Sequence, residues 1–82
     1  MKTEIITFKS VPKNWQKEYS GLKQNTVRKQ DDPNDERFQL IKLYMVGMRK
    51  LKVGIKNTET RIIFYRDITD VTLFEGYYII SW

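Results

Sequence analysis

The sequence predicts an α+β domain that is mostly β: a small closed or nearly closed barrel carrying one N-terminal helix. Three observations predict it. Extended, β-branched or alternating stretches recur from the first residues to the last. A single clear helix-period face falls near the N-terminus. The chain has 82 residues, enough for one domain (residues 1–82) and too few for two. With so many strands in so short a chain, closure is the economical arrangement because it removes exposed strand edges.

The elements follow in order. Thr3-Glu-Ile-Ile-Thr-Phe-Lys9 reads as a first strand. Ser10-Val11-Pro12 marks a helix start, with Ser10 as N-cap and Pro12 in the first turn. Val11, Trp15, Tyr19 and Leu22 recur at three- and four-residue steps and define the helix's apolar face. Gly21 ends it, since glycine reaches the left-handed conformation without a Cβ penalty. A short extended piece, Asn25–Lys29, comes next. Gln30–Glu36 is a loop rich in Asp and Asn, with Pro33 removing a donor. Arg37–Met48 is compatible with either helix or strand. Leu51, Val53 and Ile55 alternate with Lys52, Gly54 and Lys56 as a half-buried strand. Asn57-Thr58-Glu59 turns the chain into Thr60–Tyr65, and Asp67–Leu73 and Gly76–Trp82 supply two further strands.

Composition narrows the function classes. A chain this short buries about 60–65% of its surface, and its eleven aromatic residues offset part of that deficit. There is no cysteine or histidine, so zinc has no ordinary ligands and disulfides play no part. Asp31, Asp32, Asp35 and Glu36 lack the ligand spacing of a calcium loop. With no phosphate-cradling glycine loop either, neither metal nor cofactor is expected. No apolar run approaches the ~20 residues of a membrane span, and an acidic residue comes early in the alternating N-terminus, so no signal peptide is read. A reducing, cytoplasmic location is the expectation.

The net charge of +5 is uneven. Residues 1–30 carry seven Lys or Arg against two Glu, and residues 41–58 carry five basic residues and no acid. The acids concentrate in residues 31–40. Two basic stretches suit an anionic partner, and they equally suit an ordinary basic surface. Lys50, Lys52 and Lys56 share one face of a strand, which can track a phosphate backbone or simply face solvent. Most aromatics belong in the core; Tyr77 and Trp82, near the closing strand, are the candidates for stacking on a base.

The segment with most chemistry is Gly21-Leu22-Lys23-Gln24-Asn25-Thr26-Val27-Arg28. If Asn25–Lys29 is extended, Thr26 and Arg28 point to one face, and Lys23 reaches it from the turn. A hydroxyl between two cations can hold an oxyanion, a phosphate or the carbonyl edge of a base. The plainer alternative has Lys23 solvated, Thr26 an ordinary strand residue, and Arg28 paired with Asp31 or Asp32.

This run, following a helix after the first strand, resembles the hallmark segment of the ASCH family of PUA-like small β-barrels: Gly, Lys two residues on, an acidic residue or Thr three further, then Arg. The resemblance covers the first ~30 residues well and the closing strands loosely. The Thr form is that of small bacterial ASCH proteins acting as N4-acetylcytidine amidohydrolases, and the compact chain is also similar to small phage-encoded ASCH-like proteins. The resemblance implies catalytic roles for Lys23 and Thr26 and a cleft role for Arg28. In the enzymes a Glu from a helical insertion before the last strand completes the group. Here Asp70-Val-Thr-Leu-Phe-Glu75-Gly76 leads directly into Tyr77–Trp82, so the insertion is absent or reduced to a turn. Glu75 is the nearest counterpart by order, Asp67 and Asp70 the next, and a solvated turn carboxylate is the plain alternative for Glu75. Three functions follow as expectations. The first is an RNA- or modified-nucleotide-binding module using Lys23, Thr26, Arg28, Lys50 and Lys52. The second is an amidohydrolase using Lys23, Thr26 and Glu75. The third is a protein-interaction or inhibitor module meeting its partner through the acidic loop.

Overall fold

The computed structural model describes residues 3–82; Met1 and Lys2, the start of the alternating N-terminal stretch, lie outside them. The order is β1 (Thr3–Ser10), α1 (Pro12–Ser20), β2 (Asn25–Lys29), α2 (Glu36–Met45), β3 (Lys50–Asn57), β4 (Ile63–Asp67), β5 (Asp70–Phe74) and β6 (Tyr77–Ser81). These form two three-stranded sheets, β1-β3-β4 and β2-β6-β5. β1 runs parallel to β3, and every other pairing is antiparallel.

Six strands form as alternation and β-branching suggest, with β4 and β5 each starting three residues later than the expected Thr60 and Asp67, but the two sheets do not close into the expected barrel. They meet instead at a corner between β4 and β5. There the Ile68 N–H donates to Leu51 of the first sheet at 3.1 Å, and the Thr69 N–H donates to Ser81 of the second at 2.9 Å. One apolar cluster spans both sheets. Ile6 and Phe8 of β1 meet Val53 and Ile55 of β3 in register, with Val71, Tyr78 and Ile80 contributed by the second sheet. Alternation is what aims these residues inward.

A second helix replaces the open reading of residues 37–48 and corrects the expectation of one helix. Asp35 caps it, its Oδ1 accepting from the Arg37 N–H at 3.0 Å, and Glu36 lies favourably in the first turn. Phe38 and Ile41, one turn apart, are the residues it buries.

Helix α1 differs from its expected form in two ways. Its N-cap is Val11, with extended backbone and no side-chain cap. Ser10 is the last inward residue of β1 and is buried there. The apolar face is also narrower than the spacing implies: Val11 and Leu22 are exposed, and Tyr19 is half exposed and stacked on Trp15 at 5.1 Å. Trp15 is the anchor, its indole N–H donating to the Ile55 carbonyl at 2.9 Å. The other buried residue of this helix is Glu18, three positions on. Gly21 ends the helix at φ +85°, as its position in the sequence leads one to expect.

One further local feature matches the sequence reading, and one adds to it. Asn57 builds the turn after β3, its Oδ1 accepting from the Glu59 and Thr60 N–H groups at 2.9 and 3.1 Å. At Gly54 the Tyr65 ring lies so close that a Cβ would stand 2.9 Å from its Cε1.

Candidate ligand-binding cleft

A cleft of about 270 Å³ opens where the end of β1, helix α1, the Gly21 turn and β2 converge. Each wall has a local cause. The left-handed Gly21 lets the chain reverse, and the Lys23 N–H donates back to Lys17 at 3.1 Å, which holds the turn against the helix. Lys23 thereby reaches the cleft rim. Thr26 and Arg28 sit on the same side of β2, as a period of two requires. Asn14 and Glu18, four apart on α1, also line the cleft.

Arg28 organises the interior. Its Nε donates to Thr26 Oγ1 at 2.9 Å and its Nη2 to Ser10 Oγ at 3.1 Å. Its guanidinium carbon also lies 4.9 Å from the centre of the Phe8 ring. These bonds go to hydroxyls rather than to Asp31 or Asp32, the alternative partners. Burial pulls the guanidinium below its ordinary pKa, the charge of Glu18 opposes that, and Arg37 adds to the lowering. Arg28 nonetheless stays a cation at any physiological pH. Two of its five N–H groups are used, so donors remain for a ligand.

Glu18 is the residue the sequence did not disclose. It is 1% exposed, it lines the cleft, and neither carboxylate oxygen accepts a hydrogen bond from the described residues. A buried carboxylate with its lone pairs unused is costly, and the positive charge of Arg28 counters that cost. The available signal was its spacing from Trp15: a residue three after a buried helix anchor lies on nearly the same face.

The expected site residues fall into two groups. Lys23, Thr26 and Arg28 come together in this cleft. Glu75 lies in the β5–β6 turn, exposed, with φ +49°. Thr26 is opposite Ile80, and Glu75 is five residues before Ile80, on the order of 16 Å along the strand. Of the other carboxylates considered, Asp67 pairs with Lys52 at 3.3 Å, and Asp70 accepts from the Thr72 hydroxyl at 3.2 Å. Lys50 and Lys52 are at the far end of the first sheet. β1 pairs Thr3 with Lys50 at one end and Ser10 with Asn57 at the other, a span on the order of 23 Å. Tyr77 faces outward, and Trp82 packs edge-on to Phe64 at 6.2 Å, so neither lines the cleft.

A larger depression of about 880 Å³ adjoins the cleft across Arg28, Val27 and Lys9. Asp31, Asp32 and Asp35 line it together with Lys29, Arg37 and Lys56. Arg37 is committed there: it pairs with Asp35 at 2.6 Å, donates to the Thr7 carbonyl at 2.9 Å, and lies 4.5 Å from the Phe8 ring centre. The Arg37 hydrogen bond holds the Asp35 carboxyl below its ordinary pKa.

Among the described residues no cluster of acidic side chains is arranged to hold a metal, and no helix is long and apolar enough to cross a membrane. The chain matches no protein-family model, and no curated protein matches it.

Proposed function

We propose that this chain is a cytoplasmic ASCH-like, PUA-related module that binds RNA or a modified nucleotide in the cleft between α1 and β2. The observation that carries this reading is the convergence of Lys23, Thr26 and Arg28 on one cleft of about 270 Å³. It unites hydroxyl, ammonium and guanidinium donors in partly desolvated surroundings, which suits the polar edge of a base. Lys9 and Lys23 at the rim add the positive field that attracts an anionic chain. The test is an NMR titration of the labelled protein with cytidine, N4-acetylcytidine, guanosine and a short single-stranded RNA. Shifts confined to Lys23, Thr26, Arg28 and their neighbours are expected, with RNA affinity falling steeply as salt rises. If none of these ligands moves the cleft resonances, the proposal fails.

Glu18 favours a second reading, hydrolysis of an N4-acylated cytidine. It brings a carboxylate into the cleft that Lys23 and Thr26 already line. Thr26 Oγ1 accepts from Arg28, so its own proton is free to be given to a base. Incubation with N4-acetylcytidine decides the matter: release of cytidine that is lost in Thr26→Ala supports it, and absence of release removes it.

A further inference from the structure

The buried carboxylate of Glu18 restricts what the cleft can hold, and the restriction rests on the nucleotide-binding reading above. Its two oxygens are acceptors only, they are buried, and no described protein group donates to them. A phosphate placed beside them would bring like charge against like charge in poorly solvated surroundings, so the interior is unsuited to phosphate despite Arg28. A ligand that donates two parallel N–H groups relieves the cost of the unused lone pairs. An acceptor on the same ligand edge would then meet the free donors of Arg28 or the Lys23 ammonium.

The four common bases differ sharply on this criterion. Guanine presents N1–H and the N2 amino group side by side, with the O6 acceptor next in line. Adenine and cytosine each place one amino group beside a bare ring nitrogen, whose lone pair would face a carboxylate oxygen. Uracil flanks its single N–H with two carbonyls. Only guanine supplies both donors and an acceptor on one edge without a repulsive contact.

We infer that the cleft recognises guanine, with the Glu18 carboxylate accepting from N1–H and the N2 amino group while Arg28 or Lys23 donates to O6. The cleft volume of about 270 Å³ admits a base but not a folded nucleic-acid segment, so the ligand is a free guanine nucleoside or an unstacked guanine in single-stranded RNA.

The experiment is an NMR titration of the wild-type chain with guanosine, 1-methylguanosine, adenosine, cytidine, uridine and orthophosphate. Guanosine is expected to shift Glu18, Thr26 and Arg28 and to bind about tenfold or more tightly than the other nucleosides, the scale of one good bidentate base contact. Methylation at N1 removes one donor and is expected to weaken binding about tenfold. Glu18→Gln, with its fold checked by the amide spectrum, is expected to do the same. If Glu18→Gln does not fold, the 1-methylguanosine comparison on the wild-type chain decides alone. Equal affinity for guanosine and 1-methylguanosine overturns the inference, as does tighter binding of cytidine, adenosine, uridine or orthophosphate. Tighter binding of one of those nucleosides in the same cleft leaves the nucleotide-binding reading standing. Silence of the cleft toward every nucleoside and toward RNA removes both.

Discussion

The Arg28 Nη2 donates to Ser10 Oγ at 3.1 Å across eighteen residues of sequence. This bond joins the inner side of β2 to the last residue of β1, and so links the two sheets through the floor of the cleft. Arg28 is therefore a structural tie as well as the proposed ligand donor, and its replacement is expected to have two separable effects.

Arg28→Lys keeps the charge but cannot reproduce a fork that reaches Thr26 and Ser10 together. The loss of two part-buried hydrogen bonds is expected to lower stability by about 1–2 kcal/mol. Urea unfolding checks this: the midpoint should fall with the slope unchanged.

Glu18→Gln acts in the opposite direction on stability. It removes a buried charge whose oxygens have no hydrogen-bond partner among the described residues, and is expected to raise stability by about 1 kcal/mol. A site kept at the expense of the fold behaves in this way. A lower urea midpoint for the variant would show that the attraction between Glu18 and Arg28 outweighs the burial cost.

Gly54→Ala tests the packing of Tyr65 on the outer side of the first sheet. The new Cβ would stand 2.9 Å from Tyr65 Cε1 and 3.2 Å from Thr7 Oγ1. Tyr65 is half exposed and can swing aside, so the cost is expected to be about 1 kcal/mol rather than the several of a locked core. In a Tyr65→Ala background most of that cost should vanish, which a double-mutant cycle measures.

Asp35 contributes a pH dependence of definite sign. Its carboxyl sits below the ordinary value of 3.8 because Arg37 donates to it. A group depressed in the folded state stabilises above its unfolded pKa, and that contribution disappears as pH falls through the folded value. Stability should thus decline below about pH 4. Asp35→Asn, which keeps a capping side chain, should flatten that part of the curve; an unchanged slope in acid unfolding would contradict the assignment.

The sequence was most informative where local chemistry decides local structure. Pro12 and Gly21 bracket α1, alternation marks β3, and Asn57 makes its turn, because each depends on near neighbours. It was least informative where distant pairing decides. Residues 37–48 carry apolar side chains at Phe38, Leu40, Ile41, Leu43, Tyr44 and Met45, too many for either period to stand out. Edge avoidance favours barrel closure, and nothing in short strands such as β2 or β5 shows that the sheets meet at a corner instead. Within the cleft, Lys23, Thr26 and Arg28 were legible because two lie on one strand and the third on its turn. Glu18 was not, since a carboxylate on an exposed-looking helix reads as solvated until the partner strand covers it.

The corner at residues 68 and 69 has a dynamic consequence. Adjacent amides are held by different sheets, Ile68 by Leu51 and Thr69 by Ser81. Hydrogen exchange at two neighbouring positions thereby reports separately on the opening of each half of the molecule. Equal protection would mean that the halves open as one cooperative unit. A ligand that tightens the cleft-bearing sheet should slow exchange at Thr69 more than at Ile68.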